Sequence, residues 1–313
     1  MEARSQMSSQ IPTFAGLIKR HLEYREEPTF GIGPDITTGR LDFAGHVKSM
    51  DPRIEIVLEE FRRVGSEDIY KSVKLAENYR FTVTYAIEDI DFIRYGINAQ
   101  GTGAGSIDRS LGMGFSYMLN DVEHFVRIKG ARMNSIELKG NVDSTIEVTS
   151  ECICKEISTP NTTDYVSGTA QHATPKSNTP WTFADASDPV KINYGSGSDI
   201  SLPCTNITVR INRNLDPIRT LGSRQITFLP ATNRDITGSI TLLYFSTARE
   251  VDLKDGRTFL LRWILKEGSN GAVLNLNDVV FTALDKREFN AKDDKAVLEV
   301  YGFRAKQASI VAT

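Results

Sequence analysis

Residues 81–86 read FTVTYA, and this short stretch decides the fold class. Successive side chains of an extended strand point to opposite faces, so the two aromatic residues and the valine share one face. Thr82 and Thr84 occupy the other face. Such alternation is typical of a strand that packs one face on an apolar core and turns the other toward water. The stretch predicts a β-strand at the surface of a sheet.

Similar β-rich stretches recur along the chain, and they make the protein mainly β. A short helix is predicted over residues 88–96, where acidic and apolar residues follow helical spacing. The predicted strands cover residues 53–58, 113–119, 122–128, 144–148, 207–211, 239–244, 259–265, 279–284 and 297–303.

The two halves of the chain carry matching landmarks. Residues 53–66 (RIEIVLEEFRRVGS) and residues 208–223 (TVRINRNLDPIRTLGS) each read as a strand, an irregular piece and a terminal Gly-Ser. A tyrosine within the next strand follows the serine by 85 − 66 = 19 residues in the first half and by 244 − 223 = 21 in the second. Internal repeats of this kind indicate duplicated domains.

Closing hairpins over 128–148 and 281–300 extend the match between the halves. We therefore predict two tandem, duplicated β-barrel or β-sandwich domains, each with a short helix. The alternative is two unrelated β-domains that share generic hairpins. The predicted boundaries are an N-terminal arm at 1–35, a first domain at 36–157, a linker or exposed loop rich in Ser, Thr, Asn, Gly and Pro at 158–199, and a second domain at 200–313.

The bulk composition argues against several functional classes. The formal net charge is −3 and the sequence pI is about 5.9, whereas tight binding to nucleic acid requires clustered Lys and Arg. Three cysteines cannot all pair, and the four histidines are scattered. No apolar run approaches the ~18 residues of a membrane-spanning helix. We expect no membrane insertion, and no secretory signal is visible in the first residues.

Motifs for catalysis and cofactor binding are not found. The glycine-rich segment 101–105 (GTGAG) lacks a following Gly-Lys-Ser or Gly-Lys-Thr, so it does not predict a phosphate-binding loop. Glu88, Asp89 and Asp91 fit a solvated helix face better than a metal site. The sequence predicts no catalytic residue, no metal ligand and no cofactor, and we expect a protein that is not an enzyme.

An amphipathic helix is predicted for the N-terminal arm. Phe14, Leu17, Ile18 and Leu22 recur at the spacing of one helix face, and Pro28 follows. We predict that these four side chains contact an adjacent ring or subunit. The alternative is a helix that packs on its own domain.

Three stretches resemble the phage tail tube proteins, and in particular the long form with two tandem tube domains. Residues 26–31 (EEPTFG) look like the acidic, aromatic and glycine motif near the family's N-terminus. Residues 212–224 (NRNLDPIRTLGSR) and 234–242 (RDITGSITL) look like its Leu-x-Pro, Gly-Ser and following strand elements. The resemblance implies that sheets of neighbouring domains join into a barrel around a channel, with six domains in a ring.

For a chain with two such domains, the resemblance implies a trimeric, pseudo-hexameric ring that stacks into a tube. Six chains that each carry an extra decorating domain are the alternative. It implies a major tail tube protein that is made in the host cytoplasm and becomes part of the virion tail. The tape measure protein and genomic DNA would occupy the channel transiently, and other tail proteins are further expected partners.

Polar residues on the predicted strands are candidates for the channel lining. Because a channel strand must be apolar toward its core and polar toward the channel, we assign Glu55, Thr82, Thr84, Arg210, Asn212 and Thr241 to the lumen. A solvated outer strand would show the same pattern. The competing function is a β-sandwich binding module of a viral baseplate or spike, in which residues 158–200 recognise a receptor or glycan.

Overall fold

A computed structural model describes most of the chain. The described residues are 18–33, 39–62, 69–97, 109–176, 178–183, 188–195, 197–244, 247–288 and 297–313. Phe14 and Leu17, predicted as contact residues of the N-terminal segment 1–35, lie outside these ranges.

Strands dominate, as the sequence predicted: the described residues form sixteen strands and two short helices. In chain order the first elements are β1 (Ile18–Glu26), β2 (Asp42–Phe43), β3 (His46–Arg62), β4 (Ile69–Ala86), α1 (Arg94–Ile97), β5 (Leu111–Leu119), β6 (Val122–Asn141), β7 (Glu147–Cys154) and β8 (Glu156–Ile157). The remaining elements are β9 (Val190–Asn193), β10 (Ile200–Ser201), β11 (Cys204–Asn212), β12 (Asp235–Leu243), α2 (Ala248–Asp255), β13 (Phe259–Glu267), β14 (Asn270–Glu288), β15 (Leu298–Ala305) and β16 (Gln307–Ala312).

Eight antiparallel strands form one continuous layer, which we call the long sheet. Its order is β3-β4-β7-β6-β11-β12-β15-β14. The middle junction, between β6 and β11, joins the first eight strands of the chain to the last eight. Because β6 and β14 are long, each also continues into a second layer, where β6 pairs with β5 and β14 pairs with β13.

The pairing of the first eight strands is repeated by the last eight, so that every strand has a counterpart eight places later. We call β1–β8 the first set and β9–β16 the second set. In the first set β5 pairs with β1, β1 with β2, and β6 with β8. In the second set β13 pairs with β9, β9 with β10, and β14 with β16. The helices also correspond, because α1 precedes β5 and α2 precedes β13.

The correspondence extends to register. Leu111 pairs with Ala131 before a bulge in β5–β6, and Phe259 pairs with Val279 before a bulge in β13–β14. Both steps are the same: 259 − 111 = 148 and 279 − 131 = 148. A bulge is an extra residue in one strand, so two bulges at one position reproduce a local geometry as well as a topology.

The β3–β4 and β11–β12 hairpins also share one register. In β3–β4 the pair is Glu55–Asn78, and in β11–β12 it is Asn212–Asp235. The steps are 212 − 55 = 157 and 235 − 78 = 157. The pairing therefore agrees with the predicted duplication, and it places β1 and β9 within the two sets although the sequence put both outside the domains.

One apolar cluster lies beneath the inner face of the long sheet and extends through both sets. Phe81, Val83 and Tyr85 of β4 belong to it, as the alternation in residues 81–86 predicted. Val209 and Ile211 of β11 continue it past the middle junction. Burial of this shared apolar surface is the main force that holds the two sets together.

The predicted N-terminal helix is wrong over the residues that the structure describes. Ile18–Glu26 is strand β1, which pairs with β5 and β2. Leu22 and Tyr24 are fully buried in the chain's own core, so Leu22 presents no side chain to a neighbouring subunit. Leu22 and Tyr24 are two positions apart and therefore lie on one face of a strand, so this stretch fits a strand as well as a helix. Pairing with β5 selects the strand.

The segment between the predicted domains is not merely a tether. Tyr165, Trp181 and Phe183 are buried within the chain. The backbone N–H of Trp181 donates to the carbonyl of Ile87 (2.8 Å), and the N–H of Ile146 donates to the carbonyl of Trp181 (2.8 Å). The aromatic residues of this polar stretch therefore anchor it to the first set.

Candidate functional site

The outward face of the long sheet carries polar side chains on neighbouring strands, and we call it the polar face. It arises from the same alternation that builds the core. In β4, Thr82 and Thr84 are half-buried between fully buried neighbours. In β11, Arg210 is exposed between Val209 and Ile211, which are fully buried.

The structure brings the six residues predicted for the lumen onto this single face. Thr82 lies opposite Asp51 of β3, two positions in register from Arg53 and four from Glu55, and no bulge intervenes. Arg210 and Asn212 lie on the same face in β11. These residues come from sequence stretches more than a hundred positions apart.

Thr241 completes the set and shows how the two hairpins match. It pairs with Asn206 of β11 on one side and with Val300 of β15 on the other. Its step from Thr84 is 241 − 84 = 157, the same as the step between Glu55 and Asn212. Glu55 and Asn212, and likewise Thr84 and Thr241, therefore occupy equivalent positions in the two sets.

Sequence reasoning missed the centre of the face, where β6 and β7 lie. Glu137 pairs with Thr149 and with Arg210, and Ser135 pairs with Glu151. The signal was present, because residues 135–141 (SIELKGN) and 147–151 (EVTSE) both alternate. The predicted hairpin over 128–148 included this strand without assigning its faces.

Charged side chains on the polar face pair with one another along and across the strands. Arg80 Nη1 lies 3.1 Å from Glu151 Oε1, and Lys139 Nζ lies 3.2 Å from Glu137 Oε2. The hydroxyls of Thr84 and Thr149 are hydrogen-bonded at 3.1 Å. Exposed pairs of this kind contribute little to stability, so their main effect is on the distribution of charge over the polar face.

A buried carboxylate organises the motif at residues 26–31. Glu27 accepts hydrogen bonds from the N–H groups of Gly31 (2.8 Å), Gly33 (2.6 Å) and Gly130 (2.9 Å) and from the Ser110 hydroxyl (2.5 Å). Gly31 and Gly33 have φ of 80° and 89°, a conformation that favours glycine. Glu27 thereby fixes the loop that carries Phe30.

The polar segment after β8 is held by a second buried carboxylate. Glu23 accepts from the Tyr165 hydroxyl (2.9 Å) and from the Ala173 N–H (3.1 Å), and His172 Nδ1 lies 2.8 Å from it. The other ring nitrogen, Nε2, lies 2.9 Å from Asp164 Oδ2. An imidazole between two carboxylates serves here as a clamp that ties the segment to β1.

The described residue ranges offer neither a metal site nor a membrane-spanning helix. Those ranges hold no group of three or more His, Cys, Asp and Glu side chains placed to bind a metal ion. Their helices are also too short and too polar to span a bilayer.

Comparison with known proteins gives one informative match. The family model described as phage tail tube protein matches residues 33–305. No curated protein matches. Among solved structures, the anti-feeding prophage cap, a tube-terminating cap, aligns with 11% identity and a TM-score of 0.30, over 41% of this chain and 91% of that chain. Because that TM-score lies below the level of a shared fold, the assignment rests on the family match.

The described residues define a mainly β protein with one long antiparallel sheet and a polar outer face. The family match covers most of the chain, including all of the long sheet. The chain belongs to the phage tail tube protein family. It is therefore a structural component of a phage tail, and the resemblance found in the sequence is confirmed.

Proposed function

We propose that three copies of this chain close a ring around a central channel, and that such rings stack into the major tail tube. The two sets act as tandem tube domains, so three chains supply six domain positions. Each chain contributes the eight strands of its long sheet, and the closed barrel has 3 × 8 = 24 strands. Closure removes the sheet edges, which an isolated chain leaves open to unwanted pairing.

The observation that carries this proposal is the junction between β6 and β11. There, seven consecutive residue pairs join the first set to the second, from Asn206–Asn141 to Asn212–Ser135. By the correspondence of the two sets, β14 is the counterpart of β6, and β3 is the counterpart of β11. The same kind of junction can therefore form between β14 of one chain and β3 of the next.

The outer edges of the long sheet are available for that contact. Among the described residues, β3 pairs only with β4, and the 280–288 part of β14 pairs only with β15. Antiparallel pairing continues across the β6–β11 junction, so it would also continue across a β14–β3 junction without a change in strand direction. A ring built in this way repeats one interface six times, three within chains and three between them.

The polar face would line the channel. Its central strands carry Glu137, Glu147 and Glu151, and DNA phosphates are repelled by carboxylates. Two bases on the face are paired with acids, Arg80 with Glu151 and Lys139 with Glu137. A surface of this kind permits the genome, or the tape measure protein before it, to pass without tight binding.

Electron microscopy of the purified protein at rising concentration tests the ring directly. The expected result is stacked rings or hollow tubes whose end views show three chains, each with two lobes. Six chains per ring would contradict the trimeric arrangement. A compact particle at every concentration, together with glycan binding, would favour the receptor-binding module instead.

An introduced charge tests the junction between chains. Glu55 is the counterpart of Asn212 (212 − 55 = 157), and Ala283 is the counterpart of Ser135 (283 − 135 = 148). Because Asn212 faces Ser135 within the chain, Glu55 of one chain should face Ala283 of the next. Ala283→Glu should prevent ring formation by placing two carboxylates opposite each other, and addition of Glu55→Arg should restore it. Assembly of the single variant at the wild-type concentration would contradict this junction.

A lumen test uses Thr82→Trp together with Thr84→Trp. Both threonines lie on the polar face, outside the apolar core, so the variant should fold and assemble. Six indole rings per ring of three chains should narrow the channel and prevent DNA passage during infection. Normal tubes that still deliver DNA would show that another surface lines the channel.

A further inference from the structure

The hairpin that follows β11 folds back onto the first set. We call residues 213–234 the second-set hairpin. Its Leu215 and Ile226 are 7% and 1% exposed, and with Leu229 they form an apolar cluster with Ile153 of β7. Phe30, held in place by the Glu27 loop, packs against this cluster. The first set thus contains a docking site that the second-set hairpin fills.

Backbone hydrogen bonds fix the hairpin in that site. The N–H of Arg213 donates to the carbonyl of Asn134 (2.7 Å), and the N–H of Leu215 donates to Asn134 Oδ1 (2.9 Å). On the other side, the N–H of Glu77 donates to the carbonyl of Arg224 (3.2 Å). The contact therefore continues the β6–β11 junction beyond the end of the paired strands.

The first set has the same hairpin in the same register. Leu58 pairs with Lys74 in β3–β4, and Leu215 pairs with Ala231 in the second-set hairpin, so the steps are 215 − 58 = 157 and 231 − 74 = 157. We call the outer part of the β3–β4 hairpin, residues 53–62 and 69–77, the arm. By the same step, residues 56–62 and 69–77 of the arm correspond to residues 213–219 and 226–234 of the second-set hairpin.

The arm differs from the second-set hairpin in what covers it. Leu58 is 53% exposed and Ile69 is 46% exposed, although their counterparts Leu215 and Ile226 are almost fully buried. Ile54 and Ile56 precede Leu58 on the same strand face, in the alternation of a strand that packs on a core. Exposed apolar rows of this length mark an interaction surface.

A groove on the second set matches the site that the second-set hairpin fills on the first. It has a volume of about 390 Å³ and is lined by Arg234, Ile236, Val280, Arg304 and Ala305, among others. These lining residues all come from the second set. The equivalent cavity on the first set is instead lined in part by Phe228 and Leu229 of the second-set hairpin.

Counterpart residues show that the groove on the second set is equivalent to the site that the second-set hairpin fills on the first set. Val280 corresponds to Arg132 (280 − 132 = 148), whose guanidinium donates to the carbonyl of Leu229. Arg304 pairs with Val280 in β15–β14 as Ile153 pairs with Arg132 in β7–β6. Arg304 therefore occupies the place of Ile153, the residue that Leu215 contacts.

An ion pair inside the groove leaves an apolar surface for the arm. Arg304 lies 3.9 Å from Asp235, so its guanidinium already has an acidic partner within the groove. The aliphatic part of an arginine covers apolar side chains while its guanidinium pairs with a carboxylate. Arg304 in place of Ile153 thus offers aliphatic surface to Leu58 of the arm.

We propose that the groove on the second set receives the arm of a second copy of this chain, with Leu58 and Ile69 of that copy in the places of Leu215 and Ile226. This inference rests on the proposed ring and names the contact that accompanies each junction between chains. Arm docking then covers apolar surface that an isolated chain exposes, so ring closure and arm docking stabilise each other.

A cysteine pair tests the contact by its geometry. Leu58→Cys combined with Arg304→Cys should yield, under mild oxidation, covalent species of up to three chains on a non-reducing gel. The matched control within one chain is Leu215→Cys with Ile153→Cys, which should close without joining chains. A negative control is Leu58→Cys with Val251→Cys, since Val251 is exposed on α2 and is not among the residues that line the groove.

The outcomes separate this inference from the ring itself. Rings in the microscope without cross-linked chains would overturn arm docking and leave the ring intact. Absence of both rings and cross-links would overturn both proposals. Cross-links that join chains without limit would place the arm on another ring and would also overturn docking in this groove.

A second variant pair removes the dependence on disulfide geometry. Leu58→Asp should leave the thermal unfolding of the isolated chain unchanged, since this side chain is exposed, but should raise the concentration needed for ring formation by roughly tenfold or more. Leu215→Asp should instead lower the unfolding temperature of the isolated chain. Ring formation by Leu58→Asp at the wild-type concentration would overturn the proposal.

Discussion

Arg210 lies directly opposite Glu137 at the place where the two sets of strands join. Cross-strand pairs of opposite charge stabilise a sheet, and like charges in the same place destabilise it. Arg210→Glu should therefore lower the free energy of unfolding by about 1 kcal/mol. The double variant with Glu137→Arg should recover most of the loss. Chemical denaturation of the isolated chain measures both, and equal losses in the single and double variants would show that the pair does not interact.

The carboxylate of Glu27 should be essential for the stability of the first set. It accepts three backbone N–H groups and one hydroxyl in a buried position. Glu27→Gln turns one acceptor into a donor that faces other donors, so we expect a loss of about 2–3 kcal/mol in the free energy of unfolding. Glu60→Gln, at an exposed position of β3, is the control and should change little. Similar stability of the two variants would contradict the role given to Glu27.

The three cysteines should be unreactive in the folded chain. Cys152, Cys154 and Cys204 are buried, and burial raises the pKa of the Cys152 and Cys204 thiols to about 12. Burial also raises the pKa of the Cys154 thiol well above its usual value. Since the thiolate is the reactive form, a colorimetric disulfide reagent should detect no thiol at pH 8 and three after denaturation. Rapid reaction of any thiol without denaturant would show that the core around it opens.

Glu88 should make stability depend on pH. Its side chain is buried beside His46, 3.2 Å away, and burial raises the pKa of the carboxyl above its usual value although His46 opposes the shift. Because the pKa of Glu88 is higher in the folded than in the unfolded state, its contribution to the free energy of unfolding is fully present below the unfolded pKa. This contribution is lost as the pH rises through the folded pKa.

We therefore expect the wild type to gain stability, relative to Glu88→Gln, as the pH falls from 8 toward 5. Thermal unfolding of the two proteins across this range measures the difference. Parallel pH profiles would contradict a raised pKa at Glu88.

Two deletions should show that strand β1 is required for folding and that the residues before it are not. Deletion of residues 1–26 removes Leu22 and Tyr24 from the core, and large buried side chains contribute about 2–5 kcal/mol each. That loss is comparable with the whole stability of an ordinary domain, so the product should not fold. Deletion of residues 1–17 leaves β1 in place and should give a folded chain by circular dichroism. Folding of the longer deletion would show that β1 is dispensable.

The mainly β class, and the polar and apolar sides of strands such as β4 and β11, follow from the amino-acid sequence alone. In residues 81–86 this follows from a period of two, a local property that needs no partner. The repeated Gly-Ser landmarks likewise indicated that β3–β4 and β11–β12 share a register, with a step of 157. The sequence comparison matched Tyr85 with Tyr244, whereas this register makes Leu242 the counterpart of Tyr85.

What each face and each edge contacts depends on the tertiary structure. The residues of β1 satisfy a helical and an extended pattern alike, and β5 selects the strand by pairing with it. Leu58 and Leu215 are the same residue in the same hairpin register, yet one is exposed and the other buried. Burial is a property of the neighbouring surface, and that surface is assembled from strands distant in the chain, so no local pattern determines it.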